Sequence, residues 1–177
     1  MKTIKVILIL AVLGLITGSA IIYSGMYPIG ADVPHNKLTY WILEQARERS
    51  IARASSDLQV PDLSPVDMLL SGGADYNDMC SSCHLKPGQT ESDMTIGLYP
   101  KPQNLSLANH KKEHGDDDDE ITEAQKMFWT IKHGIKASGM PAWGLTHDDG
   151  RIWAMVAFIK KMPDLTEDQY QVITARE

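Results

Sequence analysis

Residues 80–84 read Cys-Ser-Ser-Cys-His and decide the fold of this chain. Cys80 and Cys83 are its only cysteines, and His84 follows them directly. Two thiols one helical turn apart can reach both vinyl groups on one edge of a porphyrin, and the adjacent histidine then lies under the iron. The motif therefore predicts one covalent haem c with His84 as the proximal iron ligand.

Three other uses of this cysteine pair are less consistent with the sequence. A thioredoxin-like redox pair belongs in a βαβ unit, whereas the pattern around Cys80 is helical. A structural zinc site needs four ligands and usually a second cysteine pair, which the chain lacks. A structural disulfide is the third alternative.

A six-coordinate iron needs a second ligand, and Met140 is the best candidate. It lies in the loop Ser-Gly-Met-Pro-Ala-Trp-Gly, residues 138–144, where Gly139 and Pro141 shape the backbone. A loop can turn the thioether inward, and His/Met ligation raises the reduction potential. The best alternative ligand is His133. The other candidates are Met94, Met127, Met155, His110, His114 and His147.

Length and composition limit the possible classes of protein. With 177 residues, the chain suggests one ordinary domain plus extra segments. A net charge of −6 makes nucleic acid a poor partner, and two cysteines exclude a disulfide-rich scaffold. No stretch alternates long enough for a confident strand, so we expect an all-α protein.

The N-terminal segment predicts export from the cytoplasm. Residues 6–23 carry no charge and follow Lys2 and Lys5. An uncleaved membrane anchor over residues 1–27 is the favoured interpretation. The alternative is a signal peptide cleaved near residues 18–20. Either way the two lysines stay in the cytoplasm and the rest of the chain faces outward.

Three further segments follow the anchor in our predicted organisation. Residues 28–61 comprise an exit segment, an amphipathic helix capped by Asn36 and ending near Ala54, and a linker. Its predicted face is traced by Leu38, Trp41, Ile42 and Gln45/Ala46. The helix either lies on the lipid surface or packs on the following domain. Residues 62–165 form the haem domain, and residues 166–177 a short C-terminal helix capped by Thr166 and a tail.

The haem domain itself shows three helical patterns. The first begins with Ser64 as its N-cap and Pro65 at its first helical position, and it runs into Cys80. The second spans residues 121–135, and the third spans residues 147–161. Residues 84–120 predict a loop whose Leu98, Leu105 and Leu107 pack on the cofactor, which supplies core that a small domain lacks. Asp116 to Glu120 is an acidic run, interpreted as a solvated loop.

These residues resemble those of class I c-type cytochromes, specifically the membrane-anchored monohaem cytochromes of bacteria. The resemblance rests on the haem motif, on Gly-Met-Pro-Ala-Trp-Gly at 139–144, and on the order of helices and loops. It implies the cytochrome c fold, in which the first helix crosses the last through Gly72 and Tyr76, with Met155 and Phe158 as partners. It also implies that the carbonyl of Pro100 or Pro102 accepts a hydrogen bond from the proximal histidine. Trp143 is expected near the haem edge or in the core.

The predicted function is one-electron transfer on the periplasmic face of a bacterial inner membrane, with no small-molecule substrate. Partners would be membrane redox complexes or soluble redox proteins, and an acidic domain would favour basic docking surfaces. A second hypothesis is a fixed haem subunit of a membrane oxidoreductase complex. A third is a haem enzyme or gas sensor with a labile sixth ligand, which a well-formed Met140 loop argues against.

Overall fold

The computed structural model describes residues 2–107 and 120–175, which divide into two compact units, Met1–Val33 and Pro34–Glu177. The described residues are helical with no strand, as the sequence predicts. The helices are α1 (Lys2–Ser24), α2 (Lys37–Ser55), α3 (Val66–Met79), α4 (Ser81–His84), α5 (Asp93–Gly97), α6 (Glu120–His133), α7 (Asp149–Lys161) and α8 (Glu167–Thr174). Short 3-10 helices cover Trp143–Leu145 and Met162–Asp164.

Helix α1 makes up most of the first unit. Its 23 residues rise about 34 Å, enough for the roughly 30 Å hydrocarbon core of a bilayer. None of its side chains is buried, and it is the one helix of the described chain that is long and apolar enough to cross a membrane. A signal sequence near the N-terminus can also satisfy this criterion of length and composition.

The core of the second unit is the crossing of α3 and α7. A side chain at Gly72 would overlap the backbone carbonyl of Ala154, so only glycine allows this approach. The rings of Tyr76 and Phe158 lie 5.4 Å apart beside it, and both are fully buried. Met155 is also fully buried. The crossing predicted through these residues is thus present.

Local sequence features explain where the helices begin and end. Asn36 and Thr166 accept hydrogen bonds from the backbone N–H groups of the residues three positions later, which confirms both predicted caps. Gly134 ends α6 with φ of +64°, a left-handed conformation that glycine adopts without strain. Asp148, which the sequence analysis did not single out, caps α7.

Two local predictions differ from the structure. Ser64 does not cap α3: the helix begins at Val66, and its N-cap position, Pro65, makes no side-chain cap bond. The expected loop after His84 contains α5, because Ser92 and Thr95 form a reciprocal capping box. His110, His114 and the acidic residues before Glu120 lie outside the described residues.

Helix α2 packs on α6 within the second unit, as one of the two alternatives predicted. The packed face is not the expected one. Ile51 and Ser55 are buried, whereas the apolar residues predicted to define the face, Leu38, Trp41 and Ile42, are exposed. The amide of Gln125 on α6 donates to the carbonyl oxygen of Leu58 at 2.8 Å, which fixes the chain just after α2.

Candidate haem site

A cavity of about 440 Å³ lies between the haem motif, the Met140 loop, α2 and α6. This volume falls in the range of roughly 300–1,000 Å³ that is usual for ligand sites. All seven site residues predicted from the sequence line it: Cys80, Cys83, His84, Pro100, Pro102, Met140 and Trp143. The fold therefore brings together residues that are 60 positions apart in the chain.

The haem motif is held by the buried end of α3. The hydroxyl of Tyr76 donates to the carbonyl oxygen of Leu85 at 2.6 Å, so the ring ties the helix to the chain just beyond the motif. The N–H of Cys83 and that of His84 both donate to the carbonyl of Cys80, which curls the motif into the single turn α4. This turn brings both sulfur atoms to the same short segment. Burial raises the pKa of the Cys80 thiol to about 12.

His84 is oriented by a backbone carbonyl. Its Nδ1 lies 2.9 Å from the carbonyl oxygen of Gln103, an acceptor that fixes the proton on Nδ1 and leaves Nε2 with a free lone pair. Burial lowers the pKa of His84, and the hydrogen bond to Gln103 opposes this only in part. The neutral imidazole is the form that binds iron.

The acceptor is a correction to the expected role of Pro100 or Pro102. Both prolines line the cavity, but neither carbonyl takes this bond. The family spacing Pro-x-Leu places the acceptor two residues before the leucine, and in this chain Gln103 occupies that position relative to Leu105. The N–H of Leu105 donates to the carbonyl of His84 at 3.1 Å, which holds the loop in register.

The leucines predicted to pack on the cofactor do not all reach it. Leu98 and Leu105 line the cavity. Leu107 does not, and 52% of it is exposed. Its N–H donates to the carbonyl of Asn104 at 3.4 Å, and its side chain lies outside the cavity wall.

The Met140 loop is fixed through its backbone. The N–H of Met140 donates to the Ser138 hydroxyl at 3.1 Å, and its carbonyl accepts from the N–H of Ile135 at 3.2 Å. A side chain at Gly134 would collide with this loop, so the loop packs directly on the end of α6. Met140 is thereby held with its side chain partly buried against the core.

The other described ligand candidates are less well placed. Met127 lines the cavity from α6, but Met94 is 47% exposed, and Met155 lies in the α3–α7 core. His133 is exposed on α6, with its ring 4.7 Å from that of Trp129. His147 contacts the ring of Trp143 and is not part of the cavity wall.

Sequence reasoning did not anticipate that α2 forms part of the cavity. The residues that line it from this helix are Tyr40, Glu44, Arg47, Glu48 and Ile51. Arg47 is paired within the helix, with Nη2 2.9 Å from Glu48 and 3.6 Å from Glu44. The available signals were Tyr40 and Ile51, eleven positions apart with charged residues between them, and two such residues do not define an apolar face.

The cavity fits a haem. Its wall is mostly apolar, it presents two thiols on one turn, and it contains an imidazole whose second nitrogen is already bonded. A thioether is available from a different element. This donor set suits a low-spin iron in a covalently attached porphyrin.

Fold and site together define a class I c-type cytochrome, with covalent haem c as its cofactor. The comparison with protein families gives the same answer, because residues 67–159 match the model described as cytochrome c oxidase, cbb3-type, subunit III. The chain belongs to this family. Neither the curated proteins nor the solved structures gave a match. Helix α2 lies wholly outside the matched residues.

Proposed function

We propose that this protein is a membrane-tethered monohaem electron carrier whose haem domain, residues 62–165, faces the periplasm. Thioether bonds to Cys80 and Cys83 would hold the haem, with His84 and Met140 as axial ligands. The observation that carries the proposal is the convergence of these four side chains on one cavity. When bound, the haem supplies a one-electron Fe(III)/Fe(II) couple.

The protein's own residues hold the site in one geometry. Gln103 fixes the His84 tautomer, and the bonds at Ser138 and Ile135 fix the Met140 backbone. A site that changes little between oxidation states loses little energy to reorganisation, which suits rapid electron transfer. Two protein ligands also leave no open iron position for a substrate.

The proposed tether rests on α1 and on the two lysines that precede its uncharged run. Lys2 and Lys5 would remain on the cytoplasmic side by the positive-inside bias, which leaves the second unit on the outer face. Confinement to the membrane plane raises the local concentration of the haem domain near membrane-bound partners.

A fixed place in a membrane oxidoreductase complex is the second candidate. The description of the matching family, which names an oxidase subunit, favours it. The two candidates differ in lifetime of association. A fixed subunit should comigrate stoichiometrically with its complex after mild detergent extraction, whereas a carrier should migrate alone.

The test of the site is the absorption spectrum of the full chain, oxidised and reduced, with and without carbon monoxide. We expect wild type to show the thioether–iron band when oxidised and to bind carbon monoxide poorly when reduced. Met140→Ala should lose that band and bind carbon monoxide readily, because one iron position is then open.

Met127→Ala is the matched control, since Met127 lines the same cavity from α6. It should keep the wild-type spectrum. A band that persists in Met140→Ala and vanishes in Met127→Ala would contradict the ligand assignment. Ready carbon monoxide binding by wild type would contradict the carrier and favour a haem enzyme or sensor.

A further inference from the structure

Helix α2 has a second face that no part of the described chain covers. Leu38, Trp41 and Ile42 share one side of its first two turns, at spacings of three and four residues. Their exposed fractions are 67%, 57% and 50%. We call these three residues the α2 apolar face. The side chains that line the haem cavity lie on another side of the same helix.

The exposed charges along this side of α2 have one sign. Arg49 follows Ile42 by seven residues and so continues the same side, and Arg53 lies one turn further. Both are exposed. Glu48 follows Trp41 by seven residues, but its side chain is only 24% exposed, pairs with Arg47 and lines the cavity. Glu44 also lines the cavity. This side of the helix is therefore apolar at its start, and the exposed charges that follow are basic.

This combination matches the interface of an anionic bilayer. Apolar side chains enter the boundary between headgroups and acyl chains, tryptophan is enriched there, and arginine contacts lipid phosphates. Helix α2 begins 13 positions after α1 ends, a reach of at most about 45 Å. A tether through α1 thus keeps α2 close to the membrane surface.

We propose that the α2 apolar face, with Arg49 and Arg53, binds the anionic lipid surface and so orients the haem domain on the membrane. The proposal rests on the tether of the proposed function. Because the opposite side of α2 lines the haem cavity, lipid contact through this face would set which side of the haem domain faces the bilayer. Redox partners would then bind the sides of the haem domain that do not face the bilayer.

Single spin labels can test the proposal in the full haem-loaded chain. Haem attachment consumes Cys80 and Cys83, so an introduced cysteine is the only free thiol. Ile42→Cys reports the face, Leu13→Cys reports the anchor, and Ala54→Cys is an exposed control near the end of α2. Each protein is placed in bilayers of neutral lipid with and without phosphatidylglycerol, and its haem spectrum is checked first.

The readout is how often each label collides with oxygen, which concentrates in lipid, and with a water-soluble nickel chelate. We expect the labels at positions 42 and 13 to favour oxygen severalfold more than the label at position 54. Arg49→Glu with Arg53→Glu should reduce the oxygen preference at position 42 in the anionic bilayer.

Three outcomes would overturn the proposal in distinguishable ways. A water-exposed label at position 42 beside a lipid-exposed label at position 13 leaves the tether intact and removes the lipid contact. Water exposure at both positions refutes the tether itself. Shielding of position 42 from both probes would mean that protein, not lipid, covers the face.

Discussion

At the scale of single residues, charge next to the cavity matters most. Arg47 and Glu48 both line it and pair with each other, Nε to Oε1 at 3.0 Å. Each side chain is largely shielded from solvent, so its charge is screened less than that of a surface residue. The pair lies outside the segment that matches the family, so its local field is a contribution from α2 to the haem cavity.

Removal of the Arg47 charge and removal of the Glu48 charge should shift the reduction potential of the haem in opposite directions. Arg47→Gln should lower it, because loss of a positive charge favours the ferric state. Glu48→Gln should raise it. Shifts on the order of tens of mV follow from Coulomb interactions in a partly buried site, and redox titration of the full chain measures them.

The double variant and a distant pair serve as controls. Arg47→Gln with Glu48→Gln should return close to the wild-type potential, because the two charges cancel. Lys161→Gln removes one partner of the exposed Lys161–Asp164 pair and should change nothing. Equal shifts from Lys161→Gln and Arg47→Gln would show that the cavity charges have no special role.

At the scale of elements, the α3–α7 crossing is the contact on which the haem motif depends. Helix α3 leads directly into Cys80, so the position of the motif follows the position of α3. The helices meet at Gly72 and are joined by a charged pair, with Arg151 Nη2 donating to Asp75 at 2.7 Å. The pair lies one turn from Gly72 and fixes the rotation of the helices.

Gly72→Ala should therefore destabilise the protein although alanine favours helix. The new methyl group would overlap the Ala154 carbonyl, and overpacking of this kind costs about 1–3 kcal/mol. Denaturant unfolding followed by circular dichroism measures the loss. Gly97→Ala is the control, because a side chain there meets nothing within 4 Å. Equal stability of Gly72→Ala and wild type would contradict the close approach.

The elements also show what sequence can and cannot predict. Helices α3, α6 and α7 follow from apolar periodicity, with Gly134 as the stop signal of α6, and the haem motif follows from residue spacing. The acceptor Gln103 escaped prediction because it acts through its backbone, which any residue supplies. The cavity wall formed by α2 escaped because tertiary packing selected a mainly charged face over an apolar one.

At the scale of the whole molecule, stability depends on phenols buried where α3, α7 and α8 meet. Tyr76 and Tyr170 have ring centroids 6.5 Å apart, and each is at most 2% exposed. Burial raises the pKa of Tyr170 to about 12 and that of Tyr76 still further. The Tyr170 hydroxyl lies 3.2 Å from Asn77 Oδ1, so the C-terminal helix is tied to α3.

These shifts predict that the protein loses stability at alkaline pH. Above about pH 10 the unfolded chain releases the phenol protons while the folded state keeps them, so the unfolded state binds fewer protons and the free energy of unfolding falls as pH rises. For Tyr170 the loss should develop between the unfolded pKa near 10 and the folded value near 12, and amount to about 3 kcal/mol.

Denaturant unfolding at several pH values between 8 and 12 tests this prediction. Tyr170→Phe removes one titrating group, so its free energy of unfolding should fall less steeply with pH than that of wild type. Its stability at pH 8 is not the readout, because the variant also loses the contact with Asn77. An identical slope in Tyr170→Phe and wild type would show that the Tyr170 phenol ionises as readily in the folded state as in the unfolded chain. Helix α8 would then pack less tightly against α3 than the burial of Tyr170 indicates.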